Sequence, residues 1–338
     1  MRFALTDEQL AFGRSLGGML AAADVPGAAR AWATGDHGPG RALFGRLAEA
    51  GVFALAAPER DGGLGVLPVE LTVAFVELGR HAVPGPLAET VAARVLLTGL
   101  AEAGDPVPGL APGLLAGRPA TVVLPGGGAY ALDPDAADPV LVVEPGPAGS
   151  ASLRAAPGHG PLRGGTDPVR RSAIPSGGGR TLAEGGAVAR SAARAGEFAR
   201  LLTAAQSLGL GLALLERTVA YARSRHQFGA PIGSFQAVKH RLADTLIALE
   251  FARPLLFGAA LTLDFRDIAA AKTATGEAAY AAALTALQLH GAIGYTDELP
   301  LSLHLRKARP LRDAWGSPSH CRALLLTDHP PPLPPRSP

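Results

Sequence analysis

The stretch Arg223-Ser224-Arg225-His226-Gln227-Phe228-Gly229-Ala230-Pro231-Ile232-Gly233-Ser234-Phe235-Gln236-Ala237-Val238-Lys239-His240-Arg241-Leu242-Ala243-Asp244 decides the fold. A proline-free run from Ala187 to Arg225 leads into it, Gly229-Ala-Pro231-Ile-Gly233 breaks it, and an apolar-periodic segment follows. The pattern is that of a long helix, a tight turn and a second helix, with polar groups concentrated at the joint. Ser234 is placed to cap the second helix. Pro254 should kink that helix or mark its last part. Downstream, a third, alanine-rich helix over roughly Asp267 to Leu289 stops at Gly291, and a short helix follows Pro318. A second polar block, Gln288-Leu-His290-Gly291-Ala292-Ile-Gly294-Tyr295, stands at that stop. Helices joined by short connections predict a four-helix bundle over 187–328.

Working outward, residues 1–115 read as helical. Thr6-x-x-Gln9 is a capping box, and apolar spacings of three and four recur in Leu43–Val52 and Val69–Leu78. Pro58-Glu-Arg-Asp-Gly62-Gly63-Leu64-Gly65 interrupts them as a loop whose glycines suit positive φ. Over 116–186 the composition turns to Gly, Pro and short β-branched runs such as Thr121–Leu124 and Val140–Val143, which predict a small β domain. The tail 329–338, with Pro330-Pro-Pro-Leu-Pro-Pro335, cannot continue a helix and is expected to be extended. The fold class is thus mainly α with a small β domain.

The chain has 338 residues, 48% of them hydrophobic, which suffices for a substantial core. A net charge of +2 and 5% aromatic residues argue against a nucleic-acid binder. Charged residues, Pro or Gly interrupt the apolar runs, so no membrane span is expected. The single Cys321 excludes an intrachain disulfide and reads as a small core hydrophobe. With no signal-peptide core at the N-terminus, a cytoplasmic protein is expected. His226, His240 and His290 fit no metal site by spacing and read as polar surface histidines.

The stretch around Arg225 closely resembles the flavin-binding signature of the acyl-CoA dehydrogenase family, and Gln288–Arg306 resembles that family's second flavin-contacting segment. The loop Pro58–Gly65 is similar to the family's Pro-Glu-x-x-Gly-Gly-x-Gly loop, and Asp167-Pro-Val-Arg170-Arg171 to an Asp-Pro-x-Arg-Arg segment of some bacterial members. The resemblance implies an acyl-CoA dehydrogenase fold: an N-terminal helical domain (1–115), a reduced middle β domain (116–186) and a C-terminal four-helix bundle. It implies FAD as cofactor, held by Arg225, Gln227, Phe228, Phe235, Gln236, Gln288, Gly291 and Ala292. The Arg225 guanidinium is suited to the pyrophosphate, whereas Ala292 replaces the glycine usual in the family. Because this turn contacts a flavin held mainly by a neighbouring subunit in the family, an oligomer is implied. An acyl-CoA substrate and an electron-transfer flavoprotein or similar acceptor are implied as well.

The family reaction needs a carboxylate base, and the two usual positions are occupied here by Trp315 and Ala199. Glu197 and Asp313 are displaced from those positions and read as solvated charges. The strands that cover the flavin ring in the family have no convincing match. Val143–Ser150 is superficially similar to one flavin-contacting loop, but Val140–Val143 reads better as an ordinary strand. The pattern resembles one chain of actinobacterial two-subunit steroid acyl-CoA dehydrogenases, in which a homologous subunit carries the base. Two alternatives stay open at this point: a self-sufficient homo-oligomer with an unrecognised base, and a non-catalytic relic of the fold.

Overall fold

The computed structural model describes residues 4–327. The proline-rich tail, expected to be extended, lies outside the described residues. In chain order the helices are α1 (Asp7–Ala21), α2 (Val25–Ala33), α3 (Gly38–Glu49), α4 (Pro68–Arg80), α5 (Leu87–Glu102), α6 (Ala111–Leu115), α7 (Gly186–Ser224), α8 (Gln236–Thr262), α9 (Phe265–His290), α10 (Leu301–Asp313) and α11 (Pro318–Leu325). The strands are β1 (Ala56–Ala57), β2 (Gly65–Val66), β3 (Thr121–Val123), β4 (Ala131–Leu132), β5 (Val140–Pro145), β6 (Ala151–Ala155), β7 (Ser172–Ala173), β8 (Arg180–Gly185), β9 (His226–Gln227) and β10 (Ala230–Pro231). The chain divides into two compact units, and α4 and α7 run through both.

The first unit combines the N-terminal residues to Pro26, Thr72–Val83 and Leu201–Leu325. Thr6 caps α1 through the reciprocal pair with Gln9 that its spacing predicts. The core joins Leu210 and Leu214 of α7, Ala282, Ala283 and Ala286 of α9, and Leu301, Ala308 and Leu311 of α10. Alanines on α9 let its neighbours approach closely, so the helices form a bundle with few large side chains. Asp264 starts α9 by accepting hydrogen bonds from the Arg266 and Asp267 backbone N–H groups at 2.8 and 3.3 Å. Buried Lys272 of α9 donates to the Leu311 and Arg312 carbonyls at 3.0 and 2.6 Å, satisfying the C-terminal end of α10. Cys321 is buried against Ala269 and Leu324, as its reading as a core hydrophobe expects.

Four details of the helices bear on what the sequence predicts. Pro254 lies in the last part of α8, as expected, and the helix continues past it to Thr262 because the proline sits on an exposed face where water can serve the carbonyl it leaves unbonded. Ser234 does not cap α8. Its hydroxyl donates to the Pro231 carbonyl at 2.7 Å, and Phe235 occupies the cap position without a side-chain bond. Helix α10 was not anticipated. Finally, α7 and α8 are long and apolar enough to cross a membrane by length and composition, although the most apolar window of α7 is 89% buried within the protein and that of α8 39%.

The second unit contains Gly27–Leu71 and Pro84–Arg200. Its four-stranded sheet has the order β3-β5-β6-β8, with β3 and β5 parallel and the other pairs antiparallel. Val140–Val143 is an ordinary strand within β5, as expected. Helix α5 is buried along nearly its whole length. Stacked Trp32, Phe44 and Phe53 rings, 6.4 and 5.6 Å apart, hold α2, α3 and the segment before β1. The Pro58–Gly65 loop closes between β1 and β2, with Gly62 and Gly65 at φ +78° and +107°. Arg171 of the Asp-Pro-x-Arg-Arg segment pairs with Asp135 at 2.8 Å and contacts His37, while Asp167 accepts from the Val169 N–H at 3.0 Å. Those residues staple the unit internally.

Candidate functional site

The joint between α7 and α8 is a small hairpin. Gln227 and His226 pair with Ala230 and Pro231, leaving Phe228 and Gly229 as a two-residue turn. Both turn residues have positive φ, 54° and 80°, which is the geometry that twists a two-residue hairpin correctly. Glycine adopts it at no steric cost, whereas Phe228 does so under strain and with 94% of its surface exposed. Its ring meets that of Phe235 edge to face at 6.2 Å. The Ile232 N–H closes the hairpin on the Arg225 carbonyl at 2.8 Å.

Side chains on this joint face solvent. Arg225, Gln227 and Gln236 are exposed, and among the described residues none of them has a side-chain hydrogen bond or ion pair. At the end of α9, exposed Gln288 is likewise unengaged. Gly291 follows with φ +64°, and the place where a side chain would stand is open space, so a ligand can approach its backbone. Ala292 is exposed beside it. Gln288, Gly291 and Ala292 border a depression of about 720 Å³, together with Arg241, Thr285 and Tyr295. A cation, amide groups, accessible backbone and aromatic surface make a donor set that suits an extended anionic ligand.

The structure brings the two polar segments together through a residue that sequence reasoning missed. Tyr221, one turn before Arg225 on α7, stacks on His290 with ring centroids 4.2 Å apart. His290 is buried, which corrects its reading as a surface histidine. Its Nδ1 donates to the Ala286 carbonyl at 2.8 Å. Burial lowers its pKa, and the backbone hydrogen bond opposes that shift only in part. His226 and His240 are exposed as expected. Among the described residues no group of three or more His, Cys, Asp or Glu is arranged to hold a metal.

The two positions usual for the base carry no carboxylate. Ala199 is completely buried in α7. Trp315 is half-buried with φ +57°. Glu197 is engaged by Arg200 at 2.6 Å, and exposed Asp313 lies 3.8 Å from Arg312. The second unit carries a separate groove of about 500 Å³, lined by Leu124, Gly128, Val143, Glu144, Arg154 and Ile174. Arg154 is already held there by Glu144 at 3.3 Å and by the Ser176 and Gly178 carbonyls.

Known proteins are similar to this chain over most of its length. The acyl-CoA dehydrogenase C-terminal domain matches residues 187–321, and the N-terminal domain of the same enzymes matches 6–106. The acyl-CoA dehydrogenase IpdE2 of Mycobacterium tuberculosis is 34% identical over 296 residues, covering 87% of this chain and 88% of its own. Among solved structures, the Tcur3481-Tcur3483 steroid ACAD G363A variant superposes with a TM-score of 0.82 at 27% identity, over 94% of this chain and 96% of that one. The ChsE4-ChsE5 complex from Mycobacterium tuberculosis superposes with a TM-score of 0.80 at 27% identity, over 97% and 100%.

Proposed function

Because the chain belongs to the acyl-CoA dehydrogenase family and has its fold, we propose that it takes part in FAD-dependent α,β-dehydrogenation of an acyl-CoA thioester as the subunit without the catalytic glutamate in a hetero-oligomer. One observation carries this reading: exposed Arg225, Gln227, Gln236 and Gln288, without side-chain hydrogen bonds or ion pairs among the described residues, stand in a chain that has Trp315 and Ala199 at the two positions usual for the base. In the family reaction a carboxylate takes the α-proton while hydride from the β-carbon passes to the flavin, which is the chemistry the cofactor supplies when bound. Neither indole nor a methyl group accepts a proton at neutral pH.

The residues at the joint fit such a cofactor. Arg225 pairs with the pyrophosphate through its guanidinium fork. Gln227, Gln236 and Gln288 supply amide groups, Phe228 and Phe235 cover apolar parts, and the Gly291 backbone approaches directly. The methyl group of Ala292 limits approach at the next residue. A homologous, base-bearing chain completes the site, and two solved relatives named as pairs of chains support that assignment. The similarity to a steroid acyl-CoA dehydrogenase supports a lipid or steroid acyl group, and an electron-transfer flavoprotein is the matching acceptor. The layout we propose is three domains, 1–115, 116–186 and 187–328, in a cytoplasmic protein.

The visible spectrum of the purified chain, alone and co-expressed with a base-bearing homologue, tests this. Flavin retention and acyl-CoA-dependent bleaching only in the co-expressed sample are expected. Stoichiometric flavin reduced by acyl-CoA in the chain alone overturns the reading.

A further inference from the structure

The depression beside Gln288 contains a cation that the resemblance does not assign. Arg241 lies on α8, five residues beyond Gln236, exposed and without a side-chain hydrogen bond or ion pair among the described residues. Asp244, three residues along the same helix, forms no ion pair with it. Some arginines of this unit are paired, Arg253 by Glu250 at 2.9 Å, Arg306 by Asp297 at 2.9 Å and Arg322 by Glu277 at 2.7 Å, whereas Arg223 and Arg309, like Arg241, form no ion pair among the described residues. Arg241 instead borders a concavity with no carboxylate in its lining.

The rest of that lining suits a nucleotide. Leu284 and Leu287 give an apolar wall, Tyr295 is 74% exposed and offers a ring for stacking, and Gln288 and Thr285 offer polar groups. At about 720 Å³ the depression is of the size that takes small ligands, roughly 300–1,000 Å³. A lone exposed arginine is ordinary on a protein surface. An arginine left unpaired at the rim of a carboxylate-free concavity, facing an open glycine backbone, is placed to receive an anion.

We propose that Arg241 is a further cation for the phosphate groups of FAD, acting at the depression bordered by Gln288 and Gly291. The proposal rests on the reading that the Gln288–Ala292 segment contacts FAD. Arg241 holds the phosphate groups by a charge-assisted fork, so both its charge and its planar geometry contribute.

The test uses the flavoprotein as purified, with its partner chain where that is needed for flavin retention. FAD affinity is measured by flavin fluorescence after reconstitution, and ADP and adenosine are measured as competitors. Arg241→Ala is expected to weaken FAD and ADP about tenfold or more and to leave adenosine unchanged, with Arg241→Lys intermediate. Unchanged FAD and ADP binding in Arg241→Ala, while Arg225→Ala weakens both, overturns the role of Arg241 and leaves the cofactor reading intact. Equal loss of ADP and adenosine overturns the charge-based role. If neither Arg225→Ala nor Gln288→Ala alters FAD binding, the cofactor reading fails, and the proposal fails with it. Because Arg241 is exposed, an unchanged melting temperature in Arg241→Ala separates lost binding from lost folding.

Discussion

Tyr221 and His290 stack with ring centroids 4.2 Å apart and 22° between their planes, and the tyrosine hydroxyl reaches the His290 carbonyl at a long 3.5 Å. This contact fixes the turn after α7 against the stop of α9, so the two polar segments share one rigid support. Tyr221→Ala removes an aromatic pair and leaves a cavity, and it should cost about 2–4 kcal/mol in urea unfolding. FAD affinity should fall with it although Tyr221 itself need not touch the cofactor. Tyr221→Phe keeps the stack and should lose less than about 1 kcal/mol. Equal losses in the two variants would place the effect in the hydroxyl instead.

Phe228 combines two features that folding alone disfavours, a left-handed backbone and an almost fully exposed ring. Phe228→Asn puts a residue that tolerates positive φ at the hairpin tip, and should leave stability unchanged or raise it by about 1 kcal/mol. The same variant should bind FAD more weakly. A destabilised variant with unchanged FAD affinity would make the Phe228–Phe235 contact structural and remove the cofactor role.

His304 of α10 sets a pH limit on this unit. Its Nε2 donates to the Arg80 carbonyl at 2.9 Å inside the protein. Burial, reinforced by the Arg217 charge, lowers its pKa to about 4, against backbone hydrogen bonds that act in the other direction. Unfolded histidine takes up its proton near pH 6.5, so between about pH 6.5 and pH 4 the unfolded state binds more protons and stability falls as pH falls. The contribution of His304 is fully present above about pH 6.5 and gone below about pH 4, a loss of roughly 3 kcal/mol. Denaturant unfolding across that window should show a steeper pH dependence for the native protein than for His304→Gln. Parallel curves would count against it.

What the amino-acid order made legible follows from range of interaction. The Thr6–Gln9 box and the stop at Gly291 depend on residues a few positions apart, and both appear where expected. Helix α10 was hidden because Leu301, Leu303 and Leu305 alternate as in a strand. Its buried stripe runs instead through Leu301, His304, Ala308 and Leu311, in which a histidine interrupts the apolar periodicity. Ser234 has a capping residue type, but the short 3₁₀ turn Ile232–Ser234 gives its hydroxyl a nearer acceptor. His290 looked polar because the Tyr221 ring that buries it lies far away in sequence. Likewise, the string Arg225–Gln236 stands out in the sequence, while Arg241 comes to border the Gln288 depression only through packing of α8 against α9.

Gly79 of α4 and Gly209 of α7 mark the closest approach of those two helices within the first unit. A side chain on Gly79 would meet the backbone of Gln206, and one on Gly209 would meet the Val76 carbonyl and the Arg80 nitrogen. Backbone cannot swing away as a flexible side chain can, so the helices must separate to admit even a methyl group. Gly209→Ala should therefore destabilise by about 3 kcal/mol or more, despite alanine being the better helix former. Gly18→Ala offers the opposite case in α1, where open space surrounds the added methyl. Propensity then acts alone and should stabilise by up to about 1 kcal/mol. Measuring both by denaturant unfolding compares the same chemical change in two settings, and a stabilising Gly209→Ala would refute the tight crossing of α4 and α7.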